Sequence, residues 1–273
     1  MKKFTVIILA ALMLLTLGAC GSKSTSKIGG ADATTDINVS SSDLEYIKNK
    51  GTLIIGITEY EPMSYKKDGE WTGFDTEFAK LVCEKLGVKP EFLIIDWDNK
   101  IPEIDSKAID CVWNGMTLTK EVTSAMSCTK PYVVNAQVVV MNKDKAADYK
   151  DAASLKDLKL TAESGSAGEK AIEEAGLKSN CTAVSTQSDA LMEVASGSAD
   201  ACVIDNTMAI AMTGEGTSYK DLAPGISLTE EFYGIGFRKN SDLTEKVNSI
   251  IDELKADGSL KKLAEKYELT LAD

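Results

Sequence analysis

Short apolar strand signals alternate with amphipathic helix signals along most of the chain. Residues 53–57 form a compact apolar run typical of a buried strand, and apolar residues recur at helical spacing through 74–86. Gly87 gives that helix a natural end. A further buried strand is indicated at 202–204, after another helical stretch. Because alternating strands and helices pack as sheets covered by helices, the sequence predicts an α/β fold.

Two segments of the chain echo each other. Residues 108–112 read Ala-Ile-Asp-Cys-Val and residues 199–203 read Ala-Asp-Ala-Cys-Val. Each places an aspartate, Asp110 or Asp200, shortly before a strand signal and after a helical stretch. Two similar α/β lobes would produce this pattern, and so would chance.

The N-terminus has the layout of an export signal. Two lysines precede an apolar run at 4–17, which is shorter than the roughly 20 residues that span a bilayer. The run ends in Leu-Gly-Ala-Cys, which resembles the bacterial lipobox, so we predict a lipoprotein signal peptide at 1–19 and lipidation of Cys20. A plain secretory signal that contains a cysteine is the alternative. Small polar residues at 20–42 predict a flexible tether, and two acyl chains would hold the protein on the outer face of the cell membrane.

Charge and composition exclude several classes of function. The chain carries 42 Asp+Glu against 30 Lys+Arg, for a formal net charge of −12, so nucleic-acid binding is not expected. Histidine is absent, which excludes histidine-based catalysis and histidine-ligated metals. The five cysteines after Cys20 form no Cys-x-x-Cys pair, so we expect no metal site and no cofactor. One disulfide among them remains open.

Seven short motifs, which follow one another through the folded part, resemble the polar amino-acid-binding proteins of ABC importers, the solute-binding family 3 group. They are Gly-Thr-Leu-Ile-Ile-Gly at 51–56, Tyr-Glu-Pro-Met at 60–63, Thr-Gly-Phe-Asp at 72–75, Asp-Trp-Asp at 96–98, Gly-Met-Thr-Leu-Thr at 115–119, Lys-Pro-Tyr at 130–132 and Asp-Ala-Cys-Val-Ile-Asp at 200–205.

The resemblance implies a two-lobed, periplasmic-binding-protein-like fold with two crossing hinge strands. Residues 43–136 and 231–273 would form lobe 1, and residues 137–230 would form lobe 2. The implied function is capture of a polar amino acid between the lobes by a monomeric binding protein, without catalysis. An ABC permease and its ATPase would then receive the ligand.

The resemblance also implies the residues that bind the ligand, and each has a purely structural alternative as a core aromatic, a turn residue or a helix cap. Tyr60 and Trp97 would enclose the ligand's side chain. Polar ligand atoms would contact three residues after a strand, Asn114, Gly115 and Thr117. The ligand's carboxylate would lie at a helix N-terminus, at Ser166 and Ala167. Asp205, an acid at a strand end, would accept from the ligand's ammonium group.

One position departs from the family pattern. Val122 stands where the family usually has an arginine that binds the ligand's carboxylate, and the single arginine, Arg238, is expected in a distant strand. Either the helix N-terminus holds the carboxylate with help from a lysine such as Lys120 or Lys130, or the ligand lacks an α-carboxylate. A sensor-type receptor for an amine and, with less support, a dehydratase on the same scaffold are the rival functions.

Overall fold

The computed structural model describes residues 42–273. The predicted signal peptide, Cys20 and residues 21–41 of the predicted tether lie outside the described residues. Ser42, the last residue of the predicted tether, caps the first helix by accepting from the N–H of Glu45 at 3.0 Å. Within residues 42–273, every helix is too short or too polar to cross a bilayer.

The first sheet combines parallel and antiparallel strands. Its order is β4-β1-β5-β13-β6, with β7 also paired to β13. The strands β1, β4 and β5 are parallel, and β13 runs antiparallel to β5. The strand bounds are β1 Thr52–Ile57, β4 Lys89–Ile94, β5 Cys111–Thr117, β6 Ser127–Cys128, β7 Val133–Asn135 and β13 Glu231–Phe237.

The second sheet repeats this plan. Its order is β10-β9-β11-β8-β12, in which β10, β9 and β11 are parallel and β8 runs antiparallel to β11. The bounds are β8 Gln137–Asn142, β9 Leu160–Glu163, β10 Cys181–Val184, β11 Ala201–Asp205 and β12 Leu222–Ser227. A separate hairpin pairs β2 Tyr65–Lys67 with β3 Glu70–Thr72.

The sequence echo has a structural counterpart in the two sheets. Asp110 precedes β5, and its carboxylate accepts from the N–H of Ile54 in the neighbouring strand at 2.8 Å. Asp200 precedes β11, and its carboxylate accepts from the N–H of Lys159 beside β9 at 2.9 Å. Each aspartate therefore ties the start of one parallel strand to the next. Both sheets use the same device at the same position, which favours the two-lobe explanation over chance.

The chain crosses between the sheets at Ala136, which separates β7 from β8, and at residues 228–230, which separate β12 from β13. We call these two crossings the hinge. They lie at the predicted lobe boundaries, and the mixed α/β, two-sheet architecture agrees with the predicted fold class. Movement of the two lobes about the hinge stays a prediction.

Ten α-helices and three 3₁₀ helices cover the sheets in the part of the chain that the structure describes. The α-helices are α1 Asp43–Lys50, α2 Phe74–Leu86, α3 Lys100–Asp105, α4 Lys120–Ala125, α5 Lys143–Ala146, α6 Ala167–Glu174, α7 Gln187–Ser196, α8 Asn206–Met212, α9 Leu243–Ala256 and α10 Ser259–Lys266. The 3₁₀ helices are Trp97–Asn99, Ala152–Leu155 and Lys178–Asn180.

Three local features set the starts of elements in the two sheets and their helices. The strand β9 runs from Leu160 to Glu163. The helix α6 begins at Ala167 because the Ser166 hydroxyl caps it. Asp242 occupies the N-cap position of α9 without capping it, and its carboxylate accepts from the N–H of Leu44 at 3.0 Å.

The structure also answers two questions that the sequence left open, the state of the cysteines and the role of Arg238. All five cysteines of the described residues are free thiols, so none of them forms a disulfide with another. Arg238 directly follows β13 and forms an ion pair with Asp43 at 3.0 Å. Its guanidinium is therefore used in holding α1 against the first sheet.

Candidate ligand-binding site

A cavity of about 320 Å³ lies between the two sheets. It is lined from the first-sheet side by residues that follow β1, β4 and β5, and from the second-sheet side by residues at the ends of β9 and β11. In open α/β sheets ligands bind at the carboxyl ends of parallel strands. All eight predicted binding residues line this cavity: Tyr60, Trp97, Asn114, Gly115, Thr117, Ser166, Ala167 and Asp205.

Two aromatic residues form part of the first-sheet wall. Tyr60 is 2% exposed, and its hydroxyl lies 2.6 Å from the hydroxyl of Tyr233 and close to that of Thr207 on α8. Trp97 opens a 3₁₀ helix and is also buried. Hydrogen bonds and packing hold Tyr60, and packing in an apolar cluster holds Trp97, so their rings present a preformed apolar surface.

The end of β5 supplies polar groups, most of which are already engaged. Gly115 donates its N–H to Asp75 at 2.6 Å, and Thr117 donates its hydroxyl to Glu231 at 2.7 Å. Asn114 donates its amide to the Thr58 hydroxyl at 2.8 Å, while its carbonyl Oδ1 is buried without a partner among the described residues. The free acceptor on Asn114 is the group left for a ligand here.

The N-terminus of α6 faces the cavity from the second-sheet side. Ser166 caps the helix by accepting from the N–H of Glu169 at 3.1 Å. The helix begins at Ala167, whose N–H is one of the first groups of the helix and has no acceptor within it. Such N–H groups and the helix dipole attract a carboxylate.

Asp205 ends β11 beside the hinge and is 5% exposed. It occupies the N-cap position of α8 without capping it. Its carboxylate instead accepts from three side-chain amides, those of Asn135, Gln137 and Gln187. Burial and the negative charge of Glu231 raise the pKa of Asp205 to about 7. A positive charge in the cavity would therefore stabilise the ionised form.

Three buried or half-buried charged residues of the cavity were not predicted from the sequence. Glu231 opens β13 and accepts from Asn135 and Gln137, both at 2.7 Å, so it shares amide donors with Asp205. Glu163 ends β9, and Lys100 begins α3; both line the cavity and are buried. Glu163 ends β9 as Asp205 ends β11, so the rule that ligands bind at the carboxyl ends of strands could have identified it.

Lys100 joins the two sides of the cavity. Its ammonium donates to the carbonyl of Trp97 at 3.1 Å and, across the cavity, to that of Gly165 at 2.8 Å. Burial lowers the pKa of Lys100. Among residues 42–273, neither Lys100 nor Asp205 forms an ion pair.

The structure separates the lysines that were considered as substitutes for the missing arginine. Val122 is buried in an apolar cluster with Trp97 and cannot bind a carboxylate. Lys130 pairs with Asp252 at 2.8 Å and is not a cavity residue. Lys120 lines the cavity but is exposed. Lys100 is the buried ammonium group, and the sequence prediction missed it.

The model of the bacterial extracellular solute-binding proteins, family 3, matches residues 53–270. The chain belongs to this family. A probable amino-acid-binding protein of Bacillus subtilis, YxeM, is 33% identical over 273 residues, which cover 98% of this chain and 95% of the relative. The arginine-binding extracellular protein ArtP of the same organism is 30% identical over 279 residues, with 98% of each chain covered.

Solved structures agree with this family assignment. The crystal structure of the ancestral amino-acid-binding protein AncCDT-1, a precursor of cyclohexadienyl dehydratase, matches with a TM-score of 0.75 and 33% identity, over 83% of this chain and 99% of that chain. These relatives and neighbours are named as amino-acid-binding proteins. The predicted family and two-lobed fold are thereby confirmed for this solute-binding protein.

Proposed function

We propose that this chain captures a polar α-amino acid in the cavity between the two sheets and delivers it to an ABC permease. The observation that carries the proposal is the pair of buried, opposite charges on Lys100 and Asp205. Buried charges are costly unless they are paired. A zwitterionic α-amino acid would supply both partners at once, a carboxylate for Lys100 and an ammonium group for Asp205.

The position of Lys100 also supplies a positive charge for the ligand's carboxylate, although Val122 stands where the family usually has an arginine. Lys100 donates to Gly165, which directly precedes Ser166 and the start of α6. An ammonium group and a helix N-terminus thus lie side by side. Together they make a carboxylate subsite that needs no arginine. This favours an α-amino acid over an amine without a carboxylate.

A thermal-shift screen tests the proposal. The protein would be the mature chain, residues 20–273, with Cys20→Ser so that it stays soluble. A ligand present at 100 times its Kd stabilises by about 2.7 kcal/mol, which we expect to raise the Tm by about 5–10 °C. A shift with one or a few L-amino acids supports the function. The absence of a shift with every amino acid would contradict it.

Transport, rather than sensing or catalysis, is the role we propose for the captured ligand. A permease and an ATPase encoded beside this chain would support transport, whereas a sensor kinase alone would favour a receptor. The chain has no histidine and one arginine, so it is poorly equipped to bind and dehydrate a dicarboxylate. Turnover of prephenate by the purified protein would overturn the non-enzymatic assignment.

The lipid anchor is a further part of the proposal. A monomer held at the outer face of the membrane by acyl chains on Cys20 would remain close to its permease. Cys20→Ser in the full-length chain should release the protein into the medium or leave its signal uncleaved by the lipoprotein route. Normal processing and membrane retention of this variant would contradict the anchor.

A further inference from the structure

Two buried oxygen atoms of the cavity have no hydrogen-bond partner. Glu163 is 2% exposed and Asn114 is 2% exposed, yet Oε1 of the first and Oδ1 of the second accept no hydrogen bond from residues 42–273. A buried acceptor without a donor costs about 1–3 kcal/mol. Both atoms belong to residues that line the cavity. A ligand that occupies the cavity would be the source of donors for both of them.

The balance of buried charge specifies the kind of donor. The buried or half-buried charged groups of the cavity are Lys100 on one hand and Glu163, Asp205 and Glu231 on the other. An α-carboxylate paired with Lys100 and an α-ammonium group paired with Asp205 would leave the acids in excess. Glu231 has donors from the protein side chains around it, including Thr117. For Glu163 the Gln187 amide is the one neighbouring hydrogen-bond donor that lowers the pKa, and among the described residues its Oε1 has no partner and it forms no ion pair.

We propose that Glu163 binds a second cationic group on the ligand, so that the site selects an amino acid with a positively charged side chain. The inference rests on the proposed amino-acid-binding function and names its substrate class. An amine or guanidinium group offers several N–H donors. It can meet Glu163 through a charge-assisted hydrogen bond and still donate to Asn114, while the rings of Tyr60 and Trp97 enclose the alkyl part of the side chain.

The surroundings of Glu163 couple ligand binding to the release of a proton. Facing it are Asp205 from β11, Lys100 from α3, Asp96 before the 3₁₀ helix and the neutral Gln187 from α7. Burial and then the charge of Asp205 raise the pKa of Glu163 to about 8, against the opposing effect of Lys100. Without a bound cation this carboxyl is therefore largely protonated at neutral pH. A cation bound beside it favours the carboxylate, so binding releases a proton.

Calorimetry with two matched ligands tests the proposal. L-Arginine and L-citrulline have similar shape and the same α-carboxylate and α-ammonium groups, but only arginine has a charged side chain. We expect the soluble mature chain to bind L-arginine at least about 10-fold more tightly than L-citrulline, because a hydrogen bond between charged groups contributes about 1.5–3 kcal/mol. L-Lysine and L-norleucine form a second pair for the same comparison.

Glu163→Gln keeps the shape of the side chain and removes its charge. This variant should reduce the arginine-to-citrulline preference by about 10- to 150-fold, the equivalent of 1.5–3 kcal/mol. It should also release fewer protons on binding arginine than the wild type does, measured from the heats in phosphate and Tris buffers. Glu173→Gln is the control, because Glu173 is exposed on α6, does not line the cavity and pairs with Lys170 and Lys178.

The outcomes separate this inference from the function on which it rests. Tight binding of citrulline, glutamine or another neutral amino acid, with no preference for arginine or lysine, would overturn the role of Glu163 and leave the binding function intact. An unchanged preference in Glu163→Gln would do the same. Binding of no amino acid at all would overturn the function itself.

Discussion

The first sheet and the second sheet each bury an acid near the cavity, and the two acids have different surroundings. Asp75, on α2, accepts from the indole of Trp113, the N–H of Gly115 and the hydroxyl of Tyr132. Burial raises its pKa to about 7, yet all of its partners belong to the first sheet. Glu163, at the carboxyl end of β9 in the second sheet, is buried to a similar degree, and its Oε1 has no hydrogen-bond partner among the described residues.

This difference separates a structural acid from a candidate binding acid. Burial alone raises the pKa of both groups, so a shifted pKa does not identify a site. What distinguishes Glu163, and Asp205 beside it, is that they line the cavity, whereas Asp75 lies behind Gly115. The hydrogen bonds of Asp75 are therefore complete within the protein, whereas Glu163 and Asp205 would be completed by a positively charged partner.

Loss of Asp205 should have the largest effect on binding. Asp205→Ala removes the carboxylate proposed for the α-ammonium group, and truncation of one member of a buried charge pair costs about 2–5 kcal/mol, or about 30- to 5,000-fold in Kd. The measurement is the Kd for the ligand found in the screen. Binding within a few-fold of wild type would contradict the role of Asp205.

Asp75→Ala is the matched variant on the first-sheet side. Because Asp75 organises Trp113, Gly115 and Tyr132, its loss should lower the Tm and leave the order of ligand preferences unchanged. A variant that keeps its Tm but changes its preference between arginine and citrulline would break the distinction between the two walls.

Gly165 lies where the two walls meet, and its replacement should also weaken binding. A Cβ on Gly165 would lie 2.5 Å from Oδ1 and 2.9 Å from Cα of Asp98, on the opposite side of the cavity. Gly165→Ala should therefore oppose closure and raise the Kd by about 10- to 100-fold, since closure and binding are linked.

Gly176→Ala is the control for this substitution. Gly176 has a φ of +75°, close to the +68° of Gly165, and a Cβ there would meet nothing within 4 Å. Both variants carry the strain of a left-handed backbone, so both should lose stability. Only Gly165→Ala should lose affinity, and equal losses of affinity would show that the contact with Asp98 is unimportant.

Lys100→Met should discriminate between ligands by their carboxylates. It removes the ammonium group but keeps the length of the chain, so we expect L-arginine to bind about 10- to 150-fold more weakly. Agmatine, which is arginine without the carboxylate, should bind no more weakly to the variant than to the wild type. An equal loss for both ligands would mean that Lys100 acts only by joining the two walls.

The residues predicted from the sequence all line the cavity, but three of its four buried or half-buried charged residues were not predicted. The resemblance to the family motifs placed Asn114 and Asp205 in one site, and the structure has them in the second half of β5 and at the end of β11, where open α/β sheets bind ligands. Lys100 was missed because burial of one lysine among many depends on contacts with residues distant in sequence, here Gly165. The contact of the Asp242 carboxylate with Leu44, near the other end of the described residues, is equally invisible to a local pattern.

The dependence of stability on pH offers the finest test of the contrast between the walls. The folded-state pKa values of Glu163, about 8, and of Asp75 and Asp205, about 7, lie above the usual values of these carboxyls. As the pH rises, the unfolded chain therefore releases these protons at a lower pH than the folded protein does. The stability that these groups contribute is fully present below a pH of about 4 and is lost as the pH rises through 7–8.

The ligand-free protein should consequently show a Tm that falls between pH 5 and pH 8. Glu163→Gln should make this slope shallower by at most about 1.4 kcal/mol per pH unit, or about 3–6 °C, while Glu173→Gln should leave it unchanged. Saturation with L-arginine should flatten the slope of the wild type, because a bound cation restores the low pKa of the cavity acids. L-Citrulline, whose side chain is neutral, should not lower the pKa of Glu163 in this way. Equal flattening by the two ligands would assign the effect to Asp205 and the α-ammonium group, and would remove Glu163 from the recognition of the side chain.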